Sequence, residues 1–278
     1  MTITLFSLIL GSAAVGAGFL GSLTGLGGGI IIVPLLTLVF GVDIHYAIGT
    51  SLITVIATSS GAAAAFAKEG YANIRAGMFL EIGATLGALA GTMVTAALSP
   101  SLVAIIFGAV LIYSALSMLQ KKRKTRSKPD PGKLPETMRM NGSYPTAQGP
   151  QSYALRYVPG GFAVTMIGGI LSGILGIGSG AVKVIAMDQI MQMPFKVSAA
   201  TSNFMIGVTA AAGAGIYLHK GYIDPGLAVP VMLGVLAGSL TGAHLLTKAK
   251  TSWLRILFAI TIAILGFEMI RKGFTGNF

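Results

Sequence analysis

The sequence contains no cysteine and only 3 histidines among its 278 residues. The absence of cysteine excludes disulfides, thiol catalysis and thiolate metal sites. The histidines His45, His219 and His244 are too scattered to give a metal-ligand spacing. The sequence also has no Walker A motif for ATP. We therefore expect no metal and no cofactor.

Charged residues are scarce as well. They make up 10% of the chain, hydrophobic residues make up 54%, and the mean hydropathy is +0.81. Soluble domains carry about 25% charged residues, so this chain lacks the polar surface that water requires. Apolar runs long enough to span ~30 Å of hydrocarbon recur along it. The composition predicts an all-α integral membrane protein that crosses the cell membrane several times.

The net charge of +11 comes largely from one polar stretch. Nine of the 19 Lys and Arg residues lie between Lys121 and Arg156, in a stretch that includes KKRKTRSKPDPGK. Basic loops favour the cytoplasmic side of a membrane, and the Pro, Gly, Ser and Gln content favours a flexible linker. We expect residues 121–157 to form a basic cytoplasmic linker that is attracted to anionic lipid, with no nucleic-acid role.

The linker separates two halves that align without a gap over about a hundred residues when one is shifted by 151 positions. GLGGG at 25–29 falls on GIGSG at 176–180, and Thr50-Ser51 falls on Thr201-Ser202. Later glycines coincide too, because Gly83, Gly87 and Gly91 fall on Gly234, Gly238 and Gly242. A series at constant offset indicates duplication. Residues 1–120 and 158–278 are predicted to be two membrane repeats.

Each half shows the same succession of hydrophobic segments. A first segment meets the glycine run, a segment of about a dozen residues follows, and three longer segments complete the half. They lie at about 3–24, 29–41, 46–67, 76–97 and 101–120, and at about 158–175, 180–193, 197–218, 226–247 and 252–270. A dozen residues is too short for an upright span and is typical of a re-entrant or half-helix.

The basic residues predict the sidedness of the connections. If 121–157 lies inside, then 68–75 and Lys196 are also inside, whereas 42–45 and 219–225 are outside. Each half then crosses the membrane an odd number of times, so the two halves are inverted. Inverted repeats with discontinuous helices are an architecture of secondary transporters.

The glycine runs have two interpretations. A break in a membrane helix presents free N–H groups and the positive end of the next half-helix, which an anion can approach closely at glycine. Alternatively, the glycines only permit close packing of helices. A dinucleotide loop is excluded, because GLGGGI lacks the G-x-G-x-x-G spacing. The candidate substrate-binding residues in the runs are Gly25, Gly27, Gly28, Gly29, Gly176, Gly178, Ser179 and Gly180.

Hydroxyl residues recur at the start of the third segment in each half. They either donate hydrogen bonds to a ligand or make ordinary hydrogen bonds between helices. These further candidates are Thr50, Ser51, Thr201, Ser202 and Asn203.

Lys183 is a cation placed three residues after Gly180. Because an ionisable residue at membrane depth usually faces a pathway or a partner, Lys183 either neutralises a bound anion or pairs with Asp188. Glu268, near Arg271, is predicted to form a surface pair. Glu81, near Arg75, has a similar surface interpretation, and a coupling proton is the alternative role for either glutamate.

Four stretches together resemble the TauE/SafE family of membrane proteins, which is named for sulfite export. They are GSLTGLGGGIIIVPLL at 21–36, GTSL at 49–52, GILGIGSGAVKV and AATSNFMIGVTAAAGA. The resemblance covers nearly the whole chain outside the linker and implies transport of sulfite, organosulfonates or related sulfur anions. The family motif falls on Gly25, Gly27, Gly28, Gly29, Pro34, Gly176, Gly178, Gly180 and Lys183. Ser179 and Ile185 depart from the pattern, which favours glycine and proline there.

The leading hypothesis is a secondary transporter, not an enzyme, that binds a small anion between its two halves and uses H+ or Na+ as a coupling ion. The alternatives are a passive anion channel, a transporter of short carboxylates, and a membrane-embedded hydrolase that uses Ser51 or Ser202. No histidine accompanies either serine in the sequence, which disfavours the hydrolase.

Overall fold

A computed structural model describes residues 3–22, 29–68, 70–95, 98–119, 133–146, 149–246 and 251–276. The first half contains the helices α1 (Ile3–Ser22), α2 (Gly29–Pro34), α3 (Ile44–Lys68), α4 (Ile74–Thr95) and α5 (Pro100–Leu119). Next come α6 (Lys133–Thr137) and the strands β1 (Gly142–Thr146) and β2 (Gly149–Tyr153). The second half contains α7 (Val158–Leu175), α8 (Gly180–Ile185), α9 (Phe195–His219), α10 (Pro225–Leu246) and α11 (Thr251–Thr275).

The helices agree closely with the hydrophobic segments of the sequence. In the described part of the chain, α4, α7 and α9 are long and apolar enough to cross a membrane. Shorter apolar helices lie within α1, α5 and α10 and in the segment that begins with α2. The prediction of a helical membrane protein is therefore confirmed, with one hairpin, β1–β2, added to it.

The short segment after each glycine run has the same form in both halves. α2 passes into a π-helical turn at Leu35–Val39, and α8 passes into one at Ala186–Ile190. The change occurs after Pro34 in the first half and after Ile185 in the second. Because Ile185 occupies the position equivalent to Pro34, proline is not what sets this boundary.

The two halves pack against each other through equivalent pairs of helices. α1 packs against α10, and its counterpart α7 packs against α4, while α3 pairs with α9 and α5 with α11. Small residues permit this close approach. A Cβ at Gly87 would collide with the carbonyl of Met166, and a Cβ at Gly238 would collide with that of Val15. These two contacts are equivalent under the offset of 151 positions.

α3 and α9 run antiparallel. His45, near the start of α3, stacks on Tyr222, just beyond the end of α9. At the other end, Lys196 near the start of α9 lies over the ring of Tyr71, just beyond the end of α3. One end of the α3–α9 pair therefore brings 42–45 close to 219–225, and the other end brings 68–75 close to Lys196. The basic residues predicted that these two groups of connections lie on opposite sides of the membrane.

Residues 133–146 and 149–157, whose composition favours a flexible linker, contain α6, β1 and β2 and pack against the helices. Met140, Tyr144, Tyr153 and Leu155 pack in one apolar cluster with residues at the start of α4 and before α9. Asn73 holds the segment in place, because its Nδ2 donates to the carbonyl of Met140 at 2.7 Å and to Tyr153 Oη at 2.9 Å. The aromatic and aliphatic side chains of this segment form an apolar face, although its overall composition is polar. Residues 120–132, which hold most of the basic run, lie outside the described residues.

Candidate functional site

The two glycine runs meet at the hydroxyl of Ser51. Ser51 Oγ in α3 lies 3.2 Å from the carbonyl oxygen of Gly29 and 2.9 Å from that of Gly176. A hydroxyl has one hydrogen to donate, so the two carbonyls share it. One side chain therefore joins the start of α2 in the first half to the glycine run of the second half.

In the second half of the chain, the described residues repeat one of these two hydrogen bonds. Ser202 Oγ in α9 donates to the carbonyl of Gly180 at 3.2 Å. Ser202 and Gly180 are the equivalents of Ser51 and Gly29 at the offset of 151 positions. These bonds give both serines a packing role between helices, which was one of the two interpretations from the sequence.

The run from Gly176 to Gly180 is a sharp break between α7 and α8, and all of it is buried. Gly176, Gly178 and Ser179 have φ angles of 67°, 69° and 51°, so the backbone is left-handed at all three. Glycine adopts this conformation without strain, whereas it is uncommon for serine. The first helical hydrogen bond of α8 runs from Lys183 N to Ser179 O at 3.1 Å. The N–H groups of residues 180–182 therefore lie ahead of the first helical bond, at the start of the helix.

Ser179 is the N-cap of α8, but its hydroxyl caps nothing. Ser179 is 2% exposed, and its Oγ has no hydrogen-bond partner among the described residues. A buried hydroxyl without a partner costs about 1–3 kcal/mol, so its retention favours a role in contacting a polar group. Thr50 is 0% exposed, and its hydroxyl likewise has no hydrogen-bond partner among the described residues.

The glycines of the two runs also pack tightly. A Cβ at Gly178 would lie 2.6 Å from Ile206 and 3.1 Å from Val55, and one at Gly29 would collide with Val55. Val55 and Ile206 are equivalent residues of α3 and α9. Close packing, the second interpretation of the glycines, thus holds at these positions whether or not the backbone also binds an anion.

Lys183 is paired, and its partner is not Asp188. Its Nζ donates to Glu81 Oε2 at 3.3 Å, to the carbonyl of Met205 at 3.1 Å, and to the hydroxyl of Thr209. These contacts use all three ammonium N–H groups. The acidic partner comes from α4, which packs against α7 and α9, whereas Asp188 lies further along the segment that carries Lys183.

Glu81 is therefore not the surface residue that its distance from Arg75 suggested. It is 6% exposed and accepts hydrogen bonds from Thr209 and, at 3.1 Å, from Thr85. Arg75 instead donates to the carbonyl of Arg139 at 3.2 Å. The surface pair predicted for Glu268 is confirmed, because two nitrogens of Arg271 donate to its Oε2 at 2.9 and 2.8 Å.

The remaining candidates divide into two groups. Thr201 accepts a hydrogen bond from Asn73 N at 2.9 Å, and Asn203 donates to the carbonyl of Ala199 at 3.0 Å, so both are engaged within the protein. Gly25, Gly27 and Gly28 lie outside the described residues. No cluster of metal-ligating side chains occurs in the part of the chain that the structure describes.

Sequence reasoning missed Thr209 and the pairing of Glu81 with Lys183. A signal was available, because the repeat places Ile32 at the position of Lys183 and Met232 at that of Glu81. Two charged residues that both replace apolar residues of the other repeat are natural candidates for a pair.

Comparison with known proteins identifies the chain. The family model described as "Sulfite exporter TauE/SafE" matches residues 10–269. The chain belongs to the TauE/SafE family. That membership confirms the resemblance seen in the motifs and agrees with a multi-pass protein of the cell membrane.

TauE/SafE relatives match over almost their whole length. A probable membrane transporter protein of Bacillus subtilis, YunE, is 30% identical over 265 residues, which are 92% of this chain and 94% of the relative. A second, YdhB of the same organism, is 27% identical over 254 residues, covering 91% and 94%. One from Methanocaldococcus jannaschii, MJ0441, is 26% identical over 268 residues, covering 91% of each. No solved structure matches the chain.

Proposed function

We propose that this TauE/SafE protein is a secondary transporter that recognises the –SO3− group of sulfite or a small organosulfonate. The family description names sulfite export, and the relatives are named as probable membrane transporters. Secondary transport is the mechanism that fits, because the sequence lacks an ATP-binding motif.

The observation that carries the proposal is the buried, uncapped start of α8. The N–H groups of residues 180–182 come before the first helical bond of α8, and the hydroxyl of Ser179 beside them has no partner among the described residues. α8 and its π-helical turn form one continuous helical run from Gly180 to Ile190, so the dipoles of eleven residues point their positive end at the break. Backbone amides and a hydroxyl are suitable donors for the three oxygens of a –SO3− group.

The arrangement of the halves supports a two-fold design. α3 and α9 run antiparallel, equivalent glycines pack on equivalent carbonyls, and Ser51 joins both glycine runs. We propose inverted repeats in which α2 and α8 are half-helices, and a first half-site at Gly25, Gly27, Gly28 and Gly29 faces the second. Access would then alternate as one half rocks against the other.

The hydrolase alternative loses support in the structure. Ser51 and Ser202 both give their hydroxyl hydrogen to backbone carbonyls, whereas a nucleophilic serine gives it to a base. A passive anion channel and a carboxylate transporter remain the functional competitors, and flux measurements separate them.

The test uses purified protein in liposomes loaded with unlabelled methanesulfonate, the smallest organosulfonate, and measures entry of the labelled anion. We expect exchange that saturates with concentration, that sulfite inhibits, and that acetate at the same concentration does not inhibit. Flux that fails to saturate would indicate a channel, inhibition by acetate alone would indicate a carboxylate site, and no protein-dependent flux would contradict the proposal.

A further inference from the structure

We propose that Glu81 is the binding site of a coupling proton, and that its protonation frees Lys183 to pair with the transported anion. This inference rests on the proposed function and names its coupling ion. The anion and the proton would then cross the membrane together.

The pair is a closed ionic contact inside the protein. Lys183 is 0% exposed and Glu81 is 6% exposed. Thr209 links them a second time, because its hydroxyl contacts both the ammonium group and Glu81 Oε1. With all its N–H groups engaged, Lys183 has no donor left for an anion in this arrangement. An anion can bind Lys183 only by displacing one of these partners, and Glu81 is the one whose negative charge competes with the anion.

The pair lies next to the proposed anion site. Lys183 belongs to the first turn of α8, which begins at Gly180. The carbonyl that accepts from Lys183 belongs to Met205, and the neighbouring residue, Ile206, packs against Gly178. Once Glu81 no longer binds it, the ammonium group of Lys183 is therefore close enough to the break between α7 and α8 to attract an anion there.

The pair also joins the two halves. Glu81 is on α4 of the first half, and Lys183 is on α8 of the second. Any motion that separates α8 from α4 must pull the two charges apart inside the membrane. Uncompensated buried charges are costly, so the carboxylate must be neutralised before such a motion can proceed.

Few other ionisable groups are close enough to take this role. α7, which packs against α4, has none in its sequence. α9 carries Lys196 near its start and Tyr217 and His219 near its end, while Thr209 lies between them. Arg75 begins α4 and donates to the carbonyl of Arg139, and Asp188 lies in the π-helical turn beyond α8. Within the described residues, Glu81 is the carboxylate that contacts Lys183.

The charges balance at each step. Glu81 carboxylate takes a proton from water on one side and forms an O–H bond, which leaves Lys183 ammonium to pair with a singly charged anion. Before loading, the site holds one positive and one negative charge, and after loading it holds one of each again. When the anion leaves on the other side, Glu81 releases the proton there and re-forms the ion pair.

The repeat predicts the stoichiometry. The equivalents of Lys183 and Glu81 are Ile32 and Met232, which do not titrate. The repeat therefore does not duplicate this site, and we expect one proton per methanesulfonate.

The first experiment uses wild-type protein in liposomes that contain a trapped pH-sensitive dye. With the interior one pH unit more alkaline, 1:1 coupling predicts about tenfold accumulation of labelled methanesulfonate, with one proton entering per anion. A proton ionophore should abolish the accumulation. Saturable net uptake of methanesulfonate with no proton entry would overturn the coupling but leave the proposed function standing, whereas no protein-dependent flux at all would overturn both.

The second experiment compares Glu81→Gln with the matched control Glu268→Gln, which removes an exposed carboxylate paired with Arg271. Wild-type exchange should accelerate as the pH falls, and the control should behave in the same way. Glu81→Gln should exchange at a rate that does not vary with pH and should not accumulate the anion. Proton-driven accumulation by Glu81→Gln would overturn the assignment. If this variant does not fold, the proton stoichiometry of the wild-type protein decides the question.

Discussion

Ser51 and Ser202 make the same hydrogen bond in the two halves of the molecule, each to the first residue of a short helix. Ser51 Oγ lies 3.2 Å from the carbonyl of Gly29, and Ser202 Oγ lies 3.2 Å from that of Gly180. Among the described residues, Ser51 makes a further bond, to Gly176 in the opposite half; the residue equivalent to Gly176 is Gly25, which lies outside them. The repeat thus supplies a symmetric bond, and the first half adds a link between the repeats.

This difference predicts unequal costs for removing the two hydroxyls. Ser51→Ala leaves two buried carbonyls without their donor and should destabilise the protein by about 1–3 kcal/mol. Ser202→Ala leaves one and should cost about half as much. Heating in detergent and measuring the folded fraction checks this order. Ser60→Ala is the control, because Ser60 is an exposed residue of α3 that bonds only to its own helix. A larger loss for Ser202→Ala would mean that the link between halves contributes little.

The packing of α1 on α10 predicts opposite effects at two nearby glycines. A Cβ at Gly18 would collide with the carbonyl of Val235, whereas one at Gly16 would meet nothing within 4 Å. Gly18→Ala should therefore cost about 1–3 kcal/mol through overpacking. Gly16→Ala should be neutral or stabilising by up to about 1 kcal/mol. Thermal unfolding of the two variants in one detergent tests this, and equal stability would contradict the observed helix contact.

The ion pair predicts strong coupling between Lys183 and Glu81. Lys183→Met leaves a buried carboxylate unpaired and should cost about 3–5 kcal/mol. Adding Glu81→Gln should recover most of that loss, because the double variant leaves no unpaired charge. Additive losses in the double variant would show that the two residues act independently. We expect the same double variant to remain inactive in methanesulfonate accumulation, since it can neither hold the proton nor attract the anion.

The cysteine-free chain allows a direct test of the inverted arrangement. A thiol reagent that cannot cross membranes should label Ser99→Cys and Lys220→Cys in intact cells. It should label Gln151→Cys, in β2, only after the membrane is opened. All three positions are exposed in the structure, so each introduced thiol is accessible on its own side. Labelling of Gln151→Cys in intact cells would contradict the proposed sidedness.

The sequence predicts the helices well because hydrophobic length and the repeat both constrain them. α7, for example, begins at Val158 and ends at Leu175, as the hydrophobic segment does. The hairpin escaped prediction because its apolar face uses a few residues, such as Tyr144 and Tyr153, within a polar stretch. The partner of Lys183 escaped it too, because Glu81 is 102 positions away in the chain and the two come together only because α4 and α8 both pack against α7 and α9.

At the candidate site, the sequence does not give the contacts of each side chain. Thr201 and Ser202 are adjacent and look alike in sequence. In the structure Thr201 holds Asn73, and Ser202 holds Gly180. Ser179 is distinguished from both because its hydroxyl is buried without a partner among the described residues. Such differences depend on long-range contacts that local sequence patterns do not contain.

Binding of an –SO3− group at the start of α8 is tested most directly by the half-saturating concentration of methanesulfonate exchange in Ser179→Gly. Glycine adopts the left-handed backbone of this position more easily than serine, so the substitution removes the hydroxyl without destabilising the break. A hydrogen bond to a charged group is worth about 1.5–3 kcal/mol, so the half-saturating concentration should rise by about tenfold or more while thermal stability is kept. An unchanged half-saturating concentration in a fully folded Ser179→Gly variant would contradict an anion site at this break.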